Sequence, residues 1–205
     1  MILDAAQRIV ETQGASQLSA REIAREIGYA PGTLYNLFRN LDEILLHVEA
    51  ELLTDLDRAL SEAMESKKGA EAVHRFASRY AAFAYDHSKL WTLLQEHHLA
   101  DGQLSPDWYL DKINAPIARL EPALAKISGT MDVESTSRTA RALWSAIHGI
   151  IQIATTEKFG RLSKAAAMEM VEDVVHHYVA GLAAQRTKRS EPNRPGRDAT
   201  ACPAE

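Results

Sequence analysis

Apolar residues recur along this chain every three or four positions, a spacing that places them on one face of an α-helix. No segment shows the regular alternation of apolar and polar residues that a half-buried strand requires. The pattern therefore predicts an all-α protein, with the helix after Trp108 interrupted because Pro116 and Pro122 each remove a backbone donor. The predicted helices lie at about 2–13, 20–27, 31–38, 41–66, 70–86, 88–99, 108–127, 133–159 and 163–186.

The stretch from Leu18 to Phe38 predicts two short helices joined by a tight turn. Ser19 and Glu22 have the spacing of a capping box, in which each side chain accepts from the backbone amide of the other residue. Gly28 follows where the first of the two helices must end, since glycine adopts the left-handed conformation without a steric penalty. Pro31 begins the second helix at a position where its missing amide donor costs nothing.

The second of these helices has an apolar and a polar face. Helical spacing places Leu34, Leu37 and Phe38 on the inner face, which Leu41 extends. Arginine can pair with guanine or phosphate, asparagine with adenine, and hydroxyl groups with phosphate oxygens. The pattern is that of a DNA recognition helix, although an ordinary helical hairpin with a solvated outer face shows the same periodicity. The outer residues are Thr33, Tyr35, Asn36 and Arg39.

Composition and charge limit the possible classes of protein. The 205 residues are 46% hydrophobic and 25% charged, as in soluble globular domains. No run approaches the roughly 18 apolar residues of a membrane-spanning helix, and the N-terminus lacks the basic region of a signal peptide. The single cysteine, Cys202, excludes an internal disulfide framework. We therefore expect a cytoplasmic protein with no membrane association.

The charge of the N-terminal segment is unusual for a nucleic-acid-binding region. The whole chain has a net charge of −5, and residues 1–45 contain four arginines against six carboxylates. Few phosphates can be neutralised by so few cations, so we expect weak non-specific DNA binding with a modest salt dependence. An alternative is a helical module that binds a small molecule or a partner and has weakened or lost DNA binding.

The sequence resembles the TetR family of bacterial one-component transcriptional regulators, most clearly over residues 2–53. The helix-turn-helix segment LSAREIAREIGYAPGTLYNLF carries this resemblance, and the run Gly32-Thr33-Leu34-Tyr35-x-x-Phe38 is its most specific part. Farther on, residues 143–149 (LWSAIHG) are similar to the Trp–His–Gly element of one TetR C-terminal subgroup. The resemblance implies a ligand-responsive regulator, most often a repressor, that binds a palindromic double-stranded DNA operator as a homodimer.

The resemblance also implies which residues contact DNA and how the two copies are placed. Two recognition helices would enter successive major grooves about 34–36 Å apart. Leu41 stands where many family members have a lysine, and few residues precede the first helix, so phosphate contacts are expected to be fewer. The implied phosphate contacts are Ser19, Thr33, Tyr35 and Arg39; Pro31, Gly32 and Asn36 would lie nearest base edges, and Arg21 completes the DNA-contacting set.

The chain is accordingly divided into three parts. Residues 1–46 are predicted to form the helix-turn-helix domain, residues 47–186 the effector-binding and dimerisation domain, and residues 187–205 a disordered tail without periodicity. The last two helices of each subunit would form a four-helix dimer interface. Its candidate residues are Leu143, Ile147, His148, Ile151, Val174, Val175, Tyr178 and Leu182.

Aromatic residues in the C-terminal part are candidates to line an apolar effector pocket, although aromatic residues at helical spacing are more often plain core. The adjacent histidines at 97–98 and 176–177 point about 100° apart on a helix, so neither pair forms a chelate. No catalytic motif is present, and we expect no enzyme, metal or cofactor. The pocket candidates are Phe76, Tyr80, Phe83, Trp91, Trp108, Tyr109 and Trp144.

Overall fold

The computed structural model describes residues 1–99, 103–129, 132–156 and 162–190. These ranges are helical apart from short connections and contain no strand, which confirms the predicted all-α fold. A 3₁₀ turn at Ala15–Gln17 follows the first helix, and a 3₁₀ helix at Pro31–Asn36 is named the recognition segment. The α-helices are α1 (Ile2–Gln13), α2 (Ala20–Ile27), α3 (Leu41–Met64), α4 (Ala70–Asp86), α5 (Ser88–Glu96), α6 (Asp107–Ala118), α7 (Glu121–Ser128), α8 (Val133–Thr155) and α9 (Lys164–Ser190).

The N-terminal helices enclose a small apolar core. Ile9 and Val10 of α1, Ile23 of α2 and Leu34 of the recognition segment are almost fully buried, and Ile44 of α3 joins them. Burial of several such side chains, each stabilising by about 1.5–3 kcal/mol, holds the short recognition segment against α2. The predicted three-helix arrangement is therefore present, with α1 packed on α2 and on α3.

The predicted capping box of α2 is only half formed. The Ser19 Oγ accepts from the Glu22 backbone N–H at 3.1 Å, as predicted. The Glu22 carboxylate binds the Arg25 guanidinium instead of reaching back, and in the described part of the chain no hydrogen bond joins it to the Ser19 amide. Gly28 ends the helix with a positive φ of 74°, the left-handed conformation that its lack of a side chain permits.

The recognition segment is shorter and more tightly wound than predicted. It is a 3₁₀ helix that ends at Asn36, whereas the sequence predicted an α-helix to Phe38. Leu37 follows it with φ −113°, and its side chain is 72% exposed rather than on the inner face. The assignment of Leu37 to the core was therefore wrong, because helical spacing cannot be extended past the last hydrogen-bonded turn.

The long helix α3 connects the N-terminal helices to the rest of the molecule. Asn40 caps its start by accepting from the Glu43 backbone N–H at 2.9 Å. It packs on α1 and also contacts α4, α5 and α6. One continuous helix therefore contacts both the N-terminal helices and the C-terminal body.

The interrupted helix predicted after Trp108 is present as α6 and α7. The break falls at Arg119–Leu120 rather than at either proline. Pro116 lies inside α6, while Pro122 lies in the first turn of α7, where its missing amide has no helical partner to lose. The sequence therefore predicted the interruption but not its position.

The ends of the last two helices differ from the predicted bounds. Helix α8 ends at Thr155, and residues 157–159, which were predicted to continue it, lie outside the described residues. Helix α9 continues to Ser190, past its predicted end near Arg186. The remainder of the predicted tail, residues 191–205 with Cys202, also lies outside the described residues.

Four of the eight dimer-interface candidates lie in the core of the subunit instead. Leu143, Ile147, Ile151 and Val175 are fully buried within a single chain, so their side chains cannot meet a partner. Periodicity identified the buried face of α8 but could not distinguish burial within one subunit from burial between two. Half-buried side chains that pack against this core are Val174, Tyr178 and Leu182.

Candidate DNA-contacting surface and internal cavity

The predicted DNA-contacting residues lie on α2, on the recognition segment or next to one of them. All of them are exposed except Thr33, which is half-buried. Tyr35 is 51% exposed, and its polar neighbour Asn36 also faces solvent. The sequence reasoning missed Leu37, whose exposed side chain adds an apolar group that could contact a thymine methyl. The contacts of these residues with DNA stay predictions.

Three of the four arginines in the N-terminal helices are paired with carboxylates of the same chain. The Arg8 Nε lies 3.3 Å from Glu26 Oε1, and Arg25 binds Glu22. Arg39 donates its backbone N–H to Glu43 Oε2 at 2.6 Å. This backbone hydrogen bond is the main reason that the pKa of Glu43 is lowered.

The Arg39 side chain approaches the same carboxylate, with its Nε 3.4 Å from Glu43 Oε2. Arg21 has no ion pair within the described residues. Because these pairs are exposed, each is weak, and each arginine can exchange its carboxylate for a phosphate.

An internal cavity of about 170 Å³ lies in the C-terminal body between α3, α4, α5, α6 and α8. Among the pocket candidates, Tyr80, Trp91, Tyr109 and Trp144 line it. Pro116 of α6 and leucine side chains of α3 and α5 complete much of the wall. The cavity therefore gathers side chains that are far apart in the sequence.

The other three pocket candidates do not line this cavity. Phe76 lies behind it, with its ring stacked on Tyr80 at 5.9 Å between centroids. Phe83 packs against His87 at 4.2 Å. Trp108 is 39% exposed and faces an open groove beside α1 and α3, so it is a surface residue.

The polar atoms of the cavity wall are largely paired with one another. The Trp144 Nε1 donates to the Tyr80 hydroxyl at 3.2 Å, and that hydroxyl lies 2.8 Å from His148 Nδ1. Burial lowers the pKa of His148, so its imidazole is neutral near pH 7. Nδ1 then accepts from Tyr80, and the ring proton resides on Nε2. His148, an interface candidate by sequence, is therefore a residue of the cavity wall.

One polar atom of the wall lacks a partner among the described residues. The Trp91 Nε1 is buried and makes no hydrogen bond within them. The whole residue is only 1% exposed. An unpaired buried donor is costly, and such atoms are uncommon in folded proteins.

A buried carboxylate lies directly behind the cavity wall. Glu49 of α3 is 2% exposed and accepts from the Tyr109 hydroxyl at 2.5 Å. Its other oxygen lies 2.6 Å from His97 Nδ1, and His97 Nε2 lies 3.6 Å from Asp42 Oδ1. The hydrogen bond to Glu49 raises the pKa of His97. Sequence reasoning missed Glu49, although its position one turn before Leu53 in an apolar stripe was a detectable signal.

Three side-chain contacts join the C-terminal body to the N-terminal helices. Trp108 of α6 stacks on His47 of α3 at 4.7 Å, and His47 meets the edge of Phe38 at 5.7 Å. The Lys89 Nζ donates to the backbone oxygens of residues 11 and 12 at the end of α1, at 2.7 and 2.9 Å. The third is the set of Glu49, Tyr109, His97 and Asp42, named the Glu49 cluster, since Asp42 lies in the first turn of α3. Helix α6 therefore lines the cavity and also contacts His47 of α3, which in turn contacts Phe38 next to the recognition segment.

The outward face of α8 and α9 has exposed small residues beside larger polar and apolar side chains. Ile153 is 50% exposed and Met170 43% exposed. The two helices pack on each other, so their outer faces form one continuous surface. Small side chains of this kind let another helix approach closely. The exposed small residues at helical spacing are Ala142, Ser145, Ala146, Gly181 and Ala184.

Neither a metal site nor a membrane span is found in the described ranges. They contain no group of three or more histidine, cysteine or acidic side chains placed to hold a metal ion. None of their helices is both long enough and apolar enough to cross a membrane.

Comparison with known families gives two matches that together span most of the chain. Residues 2–48 match the family model described as bacterial regulatory proteins, tetR family. Residues 73–181 match the model described as tetracyclin repressor-like, C-terminal domain. The first match covers the helix-turn-helix, and the second covers much of the cavity wall and most of α9.

Two curated relatives are named as transcriptional regulators. The uncharacterized HTH-type transcriptional regulator YobS of Bacillus subtilis (strain 168) is 24% identical over 163 residues, covering 78% of this chain and 81% of YobS. The HTH-type nicotine-responsive transcriptional repressor HdnoR of Paenarthrobacter nicotinovorans is 28% identical over 135 residues. That alignment covers 61% of this chain and 68% of HdnoR.

Solved structures share the whole fold. A protein of unknown function from Rhodococcus sp. RHA1 superposes with a TM-score of 0.71 at 25% identity, covering 89% of this chain and 93% of its own. The TetR family transcriptional regulator PfmR from Thermus thermophilus gives a TM-score of 0.60 at 21% identity. That superposition covers 87% of this chain and 97% of PfmR.

Proposed function

The chain belongs to the TetR family of transcriptional regulators, which are not enzymes, and we propose that it is a repressor released from a palindromic operator by a small apolar effector. Its DNA-binding domain is the helix-turn-helix at 1–46, and its effector-binding and dimerisation domain is residues 47–186. The observation that carries the proposal is a capped helix-turn-helix with an exposed polar recognition segment, joined by one helix to a body with an aromatic cavity.

The recognition segment supplies few but well-exposed contacts. Tyr35 and Asn36 extend into solvent from a segment that Leu34 anchors in the core, and Arg39 is exposed between this segment and α3. Because the domain has little positive charge, a single copy would bind DNA weakly. Two copies held at the right spacing would bind far more tightly, since the second contact becomes intramolecular. Affinity therefore depends on how the dimer places the two segments.

The outer face of α8 and α9 is the proposed dimer interface. Its small side chains permit two such helix pairs to pack as a four-helix bundle, and Ile153 and Met170 supply exposed apolar area. These residues replace the buried positions Leu143, Ile147, Ile151 and Val175 as interface candidates. The half-buried Val174, Tyr178 and Leu182 support this face from beneath.

Effector binding would act on the recognition segments through α6 and α3. Tyr109 is part of the cavity wall and of the Glu49 cluster, and its neighbour Trp108 stacks on His47 of α3. A ligand that displaces Tyr109 would therefore shift the first half of α3. The effector needs only to bind one orientation of α3 more tightly than the other. The name of the relative HdnoR, nicotine-responsive repressor, supports a small-molecule effector for this chain as well.

The test is an electrophoretic mobility shift with the DNA beside the gene for this chain. We expect a specific shifted complex at low salt that contains two copies of the protein. The double substitution Tyr35→Ala with Arg39→Ala should abolish it. The control is Arg58→Ala, which removes an exposed arginine of α3 that pairs with Asp55. Absence of any specific complex at low salt would contradict the proposal.

A second candidate function is supported by the charge of the N-terminal helices. Three of their four arginines are bound to carboxylates of the same chain, and the segment is net negative. These ion pairs are also consistent with a helical module that binds a ligand or a partner and does not bind DNA. Unaltered regulation in cells that carry the Tyr35→Ala and Arg39→Ala variant would favour this second function.

A further inference from the structure

We propose that operator binding takes up a proton at His97, because the Glu49 cluster holds the start of α3 in its operator-binding position only when this imidazole is charged. The proton linkage rests on the proposed function, since it adds regulation by pH to the operator affinity of the same repressor. It is supported by the geometry of the cluster, by the lack of a nearby cation and by the position of Asp42 beside the DNA-contacting residues.

His97 is placed between two carboxylates of α3. Its Nδ1 lies 2.6 Å from Glu49 Oε1, and its Nε2 lies 3.6 Å from Asp42 Oδ1. Asp42 and Glu49 are seven positions apart in one helix, so they share a face and lie two turns apart. His97 itself lies at the end of α5. The cluster therefore joins the end of one helix to the first two turns of another.

The hydrogen bonds of Glu49 place a proton on Nδ1 of the imidazole. The Tyr109 hydroxyl donates its single proton to Glu49 Oε2 at 2.5 Å. Burial, and after it the charge of Glu49, raises the pKa of the Tyr109 hydroxyl, so this group remains a donor. The ionised carboxylate then accepts on its other oxygen from His97, whose Nδ1 carries the proton.

The second ring nitrogen decides the charge of His97. Nε2 is buried and makes no hydrogen bond within the described residues. As a bare lone pair it would face the Asp42 carboxylate, which repels it. As an N–H it faces an acceptor 3.6 Å away that attracts the charged ring. The position therefore fits an imidazolium, and the pKa of His97 is raised, chiefly by the hydrogen bond to Glu49.

No lysine or arginine within the described ranges forms an ion pair with either carboxylate of the cluster. From α6, the titratable group is Tyr109, which reaches His97 only through Glu49. Loss of the His97 proton therefore leaves two negative charges on one face of α3, and Glu49 is only 2% exposed. A buried charge without a partner is strongly unfavourable. The charged imidazole is thus what holds the start of α3 against the end of α5.

Asp42 lies close to the DNA-contacting residues. It is in the first turn of α3, next to Glu43, which binds Arg39. Negative charges at this place oppose the approach of phosphates, and an imidazolium beside Asp42 offsets one of them. The N-terminal segment is already net negative, so each such charge matters for affinity. Operator binding should therefore favour the protonated cluster, and by reciprocity protonation should favour operator binding.

The test is the operator affinity of the full chain as a function of pH, measured by fluorescence anisotropy at constant ionic strength. Because the pKa of His97 is raised, the charged form is present at pH 6 and is lost as pH rises towards 9. We expect binding at pH 6 to be at least about fivefold tighter than at pH 9, the lower end of usual coupling between two sites.

The role of His97 is tested with a matched pair of variants. His97→Gln offers an amide donor to Glu49 but does not titrate, so most of the pH dependence should disappear. His177→Gln removes an exposed histidine of α9 and should keep the wild-type profile. An undiminished pH dependence in His97→Gln would overturn the proposal.

The role of Asp42 is tested by the midpoint of the pH profile rather than by affinity itself. Asp42→Asn removes the acceptor that faces Nε2, so operator affinity should fall at a lower pH than in wild type. Glu51→Gln removes a carboxylate from the exposed side of the same helix and should leave the midpoint unchanged. Equal midpoints for Asp42→Asn and Glu51→Gln would contradict the pairing of Nε2 with Asp42.

Nitrogen-15 nuclear magnetic resonance of the histidine rings tests the charge in the wild-type chain without DNA. The chain has eight histidines, and the signals missing from His97→Gln assign this ring. Both of its nitrogens should carry a proton at pH 6, and only Nδ1 should do so at pH 9. An uncharged ring at pH 6, or a proton on Nε2 alone at pH 9, would refute the assignment.

The two sets of measurements separate the proton linkage from the proposed function. If a specific complex forms and its pH profile is the same in wild type and His97→Gln, only the proton linkage fails. If no specific complex forms at any pH, the proposed repressor function fails, and the histidine signals still decide whether His97 is charged between its two carboxylates.

Discussion

The recognition surface and the internal cavity differ in where their polar groups find partners. Around the recognition segment, Arg25 and Arg39 have their partners, Glu22 and Glu43, three or four positions away, and the longest such pair, Arg8 with Glu26, spans 18 positions. In the cavity wall they come from distant parts of the chain, since Tyr80 meets His148 across 68 positions and Tyr109 meets Glu49 across 60. Substitutions should therefore change binding at the first site and stability at the second.

The largest effect is expected from removing the buried carboxylate behind the cavity. Glu49→Ala leaves the Tyr109 hydroxyl and His97 without their partner, and the loss of a buried pair costs about 3–5 kcal/mol. Urea unfolding should show a decrease of that order in the free energy of unfolding. The control is Glu51→Ala on the exposed side of the same helix, which should change it by less than about 0.5 kcal/mol. Equal decreases in the free energy of unfolding for Glu49→Ala and Glu51→Ala would show that the buried carboxylate does not stabilise the fold more than an exposed one.

A smaller loss of stability is expected from a single hydroxyl in the cavity wall. Tyr80→Phe removes the group that joins Trp144 to His148, leaving both without that partner. We expect a decrease of about 1–3 kcal/mol in the free energy of unfolding. Tyr35→Phe makes the same chemical change on the exposed recognition segment and should leave stability unchanged within about 0.5 kcal/mol. Equal decreases in the free energy of unfolding for Tyr80→Phe and Tyr35→Phe would contradict this difference between the two sites.

We expect the stability of the fold to depend on pH through His97 of the Glu49 cluster, which lies behind the cavity wall. The pKa of His97 is raised above its unfolded value of about 6.5 by Glu49, with Asp42 adding to the effect. The stabilisation by this pair is therefore complete below about pH 6.5 and is lost as pH rises through the raised folded value.

The measurement is the difference in melting temperature between wild type and His97→Gln. We expect the difference to be larger at pH 6 than at pH 9. The exposed His177 makes no ion pair within the described residues, and His177→Gln provides a control that should show no such trend. A difference that grows with pH would show that the cluster does not favour the protonated imidazole.

The smallest effect is expected at the recognition surface, where a substitution should improve function. Glu43→Gln removes the carboxylate that holds Arg39 and makes the domain less negative. Operator affinity should rise about twofold to fivefold at low salt and converge with wild type at high salt, because exposed charges are screened. Glu65→Gln, at the far end of α3, is the matched control. Weaker binding by Glu43→Gln would mean that the carboxylate orients Arg39 rather than competing for it.

Local features of the fold were predictable because each depends on neighbouring residues. Ser19 caps α2, Gly28 ends it in the left-handed conformation, and Leu34 is buried, as the sequence predicted. The same reasoning failed at Leu37, since the recognition segment is a 3₁₀ helix that ends at Asn36, two residues before the predicted end. A short segment of this kind takes its winding from the contacts around it rather than from its own residues.

The cavity was only partly predictable. Aromatic composition suggested Tyr80, Trp91, Tyr109 and Trp144, which do line it. The same criterion also selected Phe76 and Phe83 in the core and Trp108 on the surface, because residue type does not report which side of a helix faces a gap. The assignment of the lining residues to an effector pocket remains a prediction.

The sequence by itself determined the all-α class, the Ser19 cap and Gly28 end of α2, and the family, because periodicity and short motifs act within a few residues of one another. Only the tertiary structure decided which residues of α8 are buried in the core of the subunit. It also decided that Glu49 contacts Tyr109 and His97, and that the Trp91 indole has no hydrogen-bond partner among the described residues. Those outcomes depend on contacts between residues tens of positions apart, and helix packing rather than local spacing selects them.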